Sequence, residues 1–178
     1  WTYHNPDGEI QISNSSFRMS TTLPSLAGIR NDEFSLGNKI TINNNSFLLN
    51  LARYGIYSYG LEQAQIRQND VSMNNNSNIG GIYAAYSSKN TYKCNSVYAL
   101  QTYATRQFGF GFTLSRANSV QCNYTDKQYY GIRFLGSCIG TNLAGNNFHN
   151  HNYGLSLNFN GLIGTQYNAG NNWTGSYT

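Results

Sequence analysis

Residues 81–97 read GIYAAYSSKNTYKCNSV, and this stretch holds both parts of a pattern that recurs along the chain. The first part is a Gly followed by a large hydrophobic residue, here Gly81-Ile82. The second part is a hydrophobic residue, two further residues, an Asn, one residue and another hydrophobic residue, here Tyr92, Asn95 and Val97. The Gly at position 81 and the Asn at position 95 thus mark one complete copy of the pattern.

Both parts recur at a nearly constant spacing. The Asn positions are Asn45, Asn69, Asn95, Asn123 and Asn146. The Gly positions are Gly28, Gly55, Gly81, Gly109, Gly131 and Gly154. The Gly-to-Asn separation is the same from 55 to 69, from 81 to 95 and from 109 to 123, and it is longer by a single position from 131 to 146. A period of about 22 to 28 residues indicates one structural unit stacked on itself.

The hydrophobic residues within each unit follow a strand pattern. They alternate over short stretches, as in Ile10-Gln11-Ile12, and no helical stripe is sustained. Gly and Asn separate these stretches, and both residue types tolerate the sharp corners between strands. The sequence therefore predicts an all-β, right-handed, single-stranded parallel β-helix (a solenoid) of about six turns of about 22–28 residues. The six Gly residues of the pattern are predicted to be turn glycines.

The register assigns residues to columns along the solenoid axis. One interior column is predicted to contain Ile42, Ile66, Tyr92, Val120 and Leu143, and another to run from Ile29 to Leu155. The five Asn residues should form a structural ladder whose side-chain amides bond to one another and to corner backbone groups. Residues 1–178 are predicted to form a single β-helix segment, and because neither end shows a polar cap, we expect it to belong to a longer chain.

Composition limits the classes of partner. Charged residues make up 10% of the chain, and the net charge of +4 is scattered without a Lys/Arg stripe, so no nucleic-acid partner is predicted. No apolar run approaches the roughly 20 residues of a transmembrane helix, and no transmembrane segment is predicted. Asn and Tyr are both abundant, and the Asn-rich stretches are interpreted as turns because they alternate with the regular hydrophobic pattern.

Two of the three cysteines share a register position. Cys94 and Cys122 each precede a ladder Asn, so their Cα atoms should be about 5 Å apart, a distance that admits a disulfide. We favour two small buried side chains in one column, and we expect Cys138 to be buried as well. No fourth ligand has the spacing that a zinc site needs, and no metal or other cofactor is predicted.

The pattern, together with the closing Gly170-Asn171-Asn172-Trp173, resembles the pectate-lyase-like parallel β-helix repeat. That repeat is shared by polysaccharide lyases and hydrolases, phage tailspikes and large bacterial surface proteins. In composition and repeat pattern, the chain is most similar to Asn/Gly-rich repeat regions of very large secreted bacterial surface, adhesin or fibre proteins. The resemblance implies the fold, but this fold carries unrelated functions.

An enzyme of this kind would need clustered carboxylates. Lyases of the pectate type bind Ca²⁺ through several Asp residues, and glycosidases place two acids a few ångström apart. The seven acids here, Asp7, Glu9, Asp32, Glu33, Glu62, Asp70 and Asp126, take no equivalent positions in successive turns. We expect Asp126 and His149 to share a face, with Arg133 and His151 nearby. Because the pair has no second acid and no nucleophile beside it, it is an incomplete catalytic site. We predict no catalytic residue and no metal ligand.

The tyrosines suggest a binding surface. Tyr57 and Tyr83 share one register position, and Tyr130 and Tyr153 share another. Stacked Tyr residues bury apolar area between turns, and those that face outward would form a binding face for sugar rings or a partner protein. Stacking for stability alone is the simpler interpretation.

These observations favour a non-enzymatic, rigid structural or adhesive segment of a large extracellular or cell-surface bacterial protein, serving as a stalk, fibre or appendage. Its expected partners are neighbouring segments of a longer chain or copies of itself, and cell-surface glycans are a further candidate. The alternative is a carbohydrate-active or carbohydrate-binding β-helix, similar to a polysaccharide lyase, a glycosidase or a phage tailspike.

Overall fold

A computed structural model describes residues 9–19, 27–32, 40–74, 78–100, 106–166 and 169–176. In chain order its strands are β1 Ile10–Ser13, β2 Ser16–Met19, β3 Ala27–Asn31, β4 Ile40–Asn43, β5 Ser46–Leu49, β6 Tyr54–Tyr59, β7 Gln65–Arg67, β8 Asp70–Met73, β9 Gly80–Ala85, β10 Thr91–Lys93, β11 Ser96–Ala99, β12 Phe108–Thr113, β13 Ser119–Gln121, β14 Tyr124–Asp126, β15 Tyr130–Ser137, β16 Asn142–Ala144, β17 Asn147–His149, β18 Tyr153–Leu162 and β19 Asn172–Thr174. Within these residues there is no helix, and so none that could span a membrane.

The strands form three parallel sheets. Sheet A has the order β1-β4-β7-β10-β13-β16, sheet B the order β19-β17-β14-β11-β8-β5-β2, and sheet C the order β18-β15-β12-β9-β6-β3. Each strand therefore pairs with the equivalent strand of the next turn, which is the connectivity of a solenoid with three strands per turn. The prediction of an all-β parallel solenoid is confirmed, with about five turns. The exact number of turns, expected as about six, stays a prediction. The handedness stays a prediction.

The predicted interior columns are confirmed by the strand register. In sheet A, Ile42 pairs with Ile66, Ile66 with Tyr92, Tyr92 with Val120 and Val120 with Leu143. In sheet C, one pairing series runs from Ile29 through Ile56 and onward to Leu155. These side chains belong to one continuous buried cluster through most of the solenoid. A one-residue slip would have turned each column to the other face, so the Asn pattern fixes the register.

The glycines of the pattern lie within strands, and the prediction that they are turn glycines is wrong. Gly28, Gly55, Gly81, Gly109, Gly131 and Gly154 are each the second residue of a sheet C strand. A Cβ at Gly81 would lie 2.3 Å from Val97 Cγ1 and 3.0 Å from the carbonyl oxygen of Gly109. Glycine is required there because strands of sheet B pack directly on the sheet C backbone.

A left-handed backbone conformation marks the corner between sheets A and B. The residue just before the ladder position has a positive φ in every described turn: Asn14, Asn44, Gln68, Cys94, Cys122, Gly145 and Gly170. Asn and Gly adopt this conformation most readily, and they occupy this position in the first two and last two turns. The corner turns the chain sharply and places the next residue, the ladder Asn, inside.

Candidate functional site

The ladder asparagines are buried at the corner between sheets A and B. Asn45, Asn69, Asn95, Asn123 and Asn146 are each at most 2% exposed. The Asn95 Nδ2 donates to Asn123 Oδ1 at 3.0 Å and to the carbonyl oxygen of Ile66 at 2.9 Å. The Asn95 Oδ1 accepts from the backbone N–H and the Nδ2 of Asn69 at 3.1 and 2.9 Å. Each amide thus joins the turn before it to the turn after it.

The same bonding pattern repeats along the axis. Asn45 bonds to Asn69, Asn69 to Asn95, Asn95 to Asn123 and Asn123 to Asn146, with Nδ2-to-Oδ1 distances of 2.9–3.0 Å. Both donors and both lone pairs of each interior amide are used, so a polar column crosses the apolar interior without unsatisfied groups. Among the residues that the structure describes, the ladder is the most regular polar feature.

The ladder is longer than the sequence analysis expected. Asn146 bonds to Asn171 Oδ1 at 2.9 Å through its Nδ2, and the Asn45 Oδ1 accepts from the backbone N–H of Ser15 at 3.0 Å. Asn171 could have been assigned from the sequence, because it lies two residues before a large hydrophobic residue, Trp173, as most of the other ladder Asn residues do.

A second buried polar column was missed. Asn90 and Asn118 lie at the corner before sheet A, where the Asn90 N–H donates to Asn118 Oδ1 at 2.9 Å and the Asn118 Nδ2 donates to the carbonyl oxygen of Ser87 at 3.2 Å. The Ser87 N–H in turn donates to Ser115 Oγ at 3.1 Å. The available signal was an Asn five residues before a ladder Asn in two successive repeats.

The register pairs the predicted tyrosines as expected. Tyr57 pairs with Tyr83, and Tyr130 pairs with Tyr153. The Tyr57 and Tyr83 rings are 5.5 Å apart at 35°, and the Tyr83 hydroxyl is hydrogen-bonded to Thr113 Oγ1 at 2.9 Å. Burial, followed by the neighbouring Tyr83, raises the pKa of the Tyr57 hydroxyl above its ordinary value. These rings contact one another along the axis, which limits their use as a platform.

Further aromatic residues extend this first pair. Tyr54 stacks on Tyr83 at 5.2 Å, and Phe108 lies 5.8 Å from Tyr83. A Cβ at Gly80 would clash with the Phe108 ring, so this glycine leaves the space that the ring fills. The cluster is therefore a packed outer layer on sheet C.

The second tyrosine pair is more open to solvent. Tyr130 and Tyr153 stack at 5.6 Å and 26°, and Tyr129 lies 5.6 Å from Tyr153. The Arg133 guanidinium lies over the Tyr130 ring at 5.2 Å. Tyr153 is 49% exposed, and its strand β18 is an edge strand of sheet C. This group, Tyr129, Tyr130, Arg133 and Tyr153, is named the tyrosine–arginine cluster below.

Asp126 and His149 stack as the register predicts. They are partners in the pairing of β14 with β17, and Asp126 Oδ1 is 3.1 Å from His149 Nδ1. Asn150 Nδ2 also donates to Asp126 Oδ1 at 3.1 Å. Arg133 is on sheet C instead, over Tyr130. The arrangement brings together one acid and one imidazole without a nucleophile.

His151 is fully buried and serves the corner between sheets B and C. Its Nδ1 is 2.9 Å from the carbonyl oxygen of Gln128, and its Nε2 is 3.2 Å from the carbonyl oxygen of Thr125. We assign the proton to Nδ1, because it makes the shorter carbonyl contact and because the Thr125 hydroxyl can donate to Nε2. Its Nε2 then accepts from the Thr125 hydroxyl at 2.8 Å. Desolvation lowers the pKa of His151 below its ordinary value of 6.5 despite the opposing backbone hydrogen bonds. The neutral ring is a structural hydrogen-bonding element.

The remaining described carboxylates are dispersed. Glu62 forms an ion pair with Lys89 at 2.6 Å, and Asp32 contacts Arg30. Asp70 and Glu9 are exposed, while Asp7 and Glu33 lie outside the described residues. Among the residues that the structure places, no three His, Cys, Asp or Glu side chains are grouped as metal ligands would be.

The cysteines differ from the expectation of two buried side chains. Cys138 is buried, but Cys94 is only half-buried and Cys122 is exposed. The reason is their corner conformation, with φ of 51° and 55°, which places these side chains outside the column while the following Asn points inward. The prediction of buried packing for Cys94 and Cys122 is wrong, whereas their stacking in adjacent turns is present.

No family model, curated protein or solved structure matches this chain.

Proposed function

We propose that the chain is a rigid, non-enzymatic structural or adhesive segment of a large extracellular or cell-surface bacterial protein, acting as a stalk, fibre or appendage. The observation that carries this proposal is the unbroken ladder from Ser15 to Asn171. We further propose a right-handed winding of the pectate-lyase type for it.

Stiffness is the physical basis of the proposal. From β1 to β18 each turn is bonded to the next through three sheets and through the ladder amides, and the last described strand, β19, is bonded to β17 in sheet B. Bending the column would have to lengthen hydrogen bonds of the ladder in an environment where water cannot replace them, and each such lost bond is costly. A repeat of this kind adds length without adding hinges.

The last described turn supports a partner that stacks on it. Leu155 and Leu157 continue interior columns but are 36% and 48% exposed, and Trp173, which stacks on Phe148, is 43% exposed. Unpaired strand edges that carry apolar side chains readily pair with further strands. We propose that another turn of a longer chain, or a second copy, covers this face.

Antibody labelling of the source cells tests the location and role. Antibodies raised against the purified chain should label intact cells, on the surface or on extended appendages, as strongly as permeabilised cells. Labelling that requires permeabilisation would contradict the proposal. Release of reducing ends from a panel of polysaccharides by the purified chain would contradict its non-enzymatic part.

A second candidate function is carbohydrate binding at the tyrosine–arginine cluster. The exposed Tyr153 ring offers an apolar face to a sugar ring, and Arg133 beside Tyr130 could donate to an acidic sugar. Tyr153→Ala should then weaken binding of an acidic oligosaccharide by at least tenfold in calorimetric titration, while Tyr57→Ala leaves it unchanged. Equal loss in both variants, or no binding by the unmodified chain, would exclude this site.

A further inference from the structure

Two thiols occupy equivalent corners of adjacent turns. The residues before them, Lys93 and Gln121, are register partners in sheet A, and the Cys94 backbone N–H donates to the Gln121 carbonyl at 2.9 Å. Because φ is 51° at Cys94 and 55° at Cys122, both side chains leave the backbone in the same direction. Adjacent parallel strands are about 4.8 Å apart, within the Cα range that a disulfide spans.

The surroundings leave this pair open to reagents. Cys94 is half-buried and borders an open cavity of about 180 Å³ that is also lined by Arg67, Gln68 and Lys93, and Cys122 is exposed. Burial, followed by the neighbouring Cys122 thiol, raises the pKa of Cys94. Cys138 has different surroundings, since it is buried with its sulfur 3.8 Å from the carbonyl oxygen of Phe112.

We propose that Cys94 and Cys122 form a redox modification site: a small-molecule disulfide converts the two thiols into an intramolecular bridge that joins adjacent turns at the outer corner. Both thiols are free in the present structure. The bridge would close the chain between positions 94 and 122 into a loop and so restrict the unfolded state. The inference is independent of the proposed extracellular role, because it concerns the purified chain.

The small-molecule disulfide is the oxidant in this reaction. The exposed Cys122 thiolate attacks one sulfur of oxidised glutathione, forms a mixed disulfide and releases one glutathione thiolate. The Cys94 thiolate then attacks the Cys122 sulfur and releases the second glutathione. The protein loses two protons and two electrons, and the reagent is reduced to two thiols.

Thiol counting and mass spectrometry test the bridge. In the reduced, native protein, two thiols should react with a chromogenic disulfide and the third only after denaturation. After treatment with oxidised glutathione, no thiol should react in the native protein and one after denaturation, with a mass about 2 Da lower and a 94–122 cross-linked peptide. The melting temperature should rise by about 5 °C and return on reduction.

Two variants serve as matched controls. Cys122→Ser should keep glutathione on Cys94 as a stable mixed disulfide, with no rise in melting temperature. Gln68→Cys combined with Cys122→Ser moves the pair one turn along the same corner and should bridge again. Stable glutathione adducts on both cysteines of the unmodified chain, or a disulfide-linked dimer on non-reducing electrophoresis, would overturn the proposal.

Discussion

Asparagine suits the inner corner because its short amide matches the spacing between turns. Its Nδ2 group donates to the next amide and to a backbone carbonyl, while its Oδ1 accepts two hydrogen bonds, as at Asn95. Aspartate would place acceptors against acceptors and repeat a buried charge every turn, and serine has only one donor.

Asn95→Ala should destabilise the fold strongly. The substitution removes the acceptor for the buried Asn69 N–H and the donor for the carbonyl oxygen of Ile66, and unsatisfied buried polar groups cost about 1–3 kcal/mol each. We expect a loss of about 3 kcal/mol in the free energy of unfolding by urea denaturation. The control is Asn74→Ala, because Asn74 makes an exposed bond with Asn50, and it should change stability by less than about 0.5 kcal/mol.

Gly81→Ala should also be destabilising, although the backbone conformation there is ordinary. The added Cβ would lie 2.3 Å from Val97 Cγ1, and overpacking of this kind costs about 1–3 kcal/mol. In a double-mutant cycle, Val97→Ala should recover part of the loss, since it removes that methyl group. If the double variant loses as much free energy of unfolding as Gly81→Ala and Val97→Ala lose together, the steric account is contradicted.

The sequence identified the important residues here but not always their roles. Gly81 could be recognised as a repeat position, but glycine serves both at turns and at close packing, and spacing alone does not separate these uses. The exposure of Cys122 depends on its left-handed corner. That conformation was recoverable, because Asn44 and Gly145 occupy the same register position.

At the scale of elements, the buried polar residues lie mainly at the corners, and the apolar core is formed by the strands. Sheet B meets sheet C at the corner where His151 bonds to Thr125 and to Gln128. In earlier turns this corner uses amides, with Asn78 Nδ2 and Gln128 Nε2 donating to backbone carbonyls, whereas at His151 it uses a titratable ring. Its stability should therefore depend on pH.

The folded protein should lose stability as the pH falls below about 6.5. His151 has a folded pKa below its ordinary value of 6.5, so the unfolded chain takes up its proton first as the pH falls. The stabilisation is complete above the unfolded value and is lost as the pH falls through it toward the folded value. The nearby Asp126 raises and His149 lowers this folded pKa, both less than desolvation does.

Thermal denaturation between pH 7.5 and 5 measures this effect. His151→Gln should flatten the pH dependence, whatever it does to stability at pH 7.5. His149→Gln should keep most of it, because His149 is at the surface and shares its Asp126 contact with Asn150. The same slope in His151→Gln as in the unmodified chain would show that another group is responsible.

The whole molecule is a column with an exposed apolar face on its last described turn. If a second copy stacks on that face, Leu155→Lys combined with Leu157→Lys should weaken self-association by at least tenfold in sedimentation equilibrium, because lysines disfavour pairing at a sheet edge. Leu100→Lys is the control: Leu100 is 53% exposed at a mid-column corner, and its replacement should have no effect. A loss shared by both variants would point to non-specific aggregation.

The global architecture was predictable because the sequence repeat directly indicates one structural unit stacked on itself. Copies of the Asn pattern fixed the parallel stacking, the interior columns and the main ladder. The column of Asn90, Asn118, Ser87 and Ser115 was less visible, because its Asn and Ser residues recur in only two turns, and the equivalent positions one turn earlier are Ala64 and Leu61. The function was less predictable still, since structural repeats and carbohydrate-active repeats share the same core.

Hydrogen exchange of the side-chain amides is the most direct test of the central claim, that one buried ladder holds the turns together in a rigid column. In two-dimensional NMR, the Nδ2 protons of Asn69, Asn95 and Asn123 should exchange with solvent at least about a hundredfold more slowly than those of the exposed Asn74, because a ladder proton exchanges only when the column opens. Ladder amides that exchange as fast as Asn74 would contradict the account.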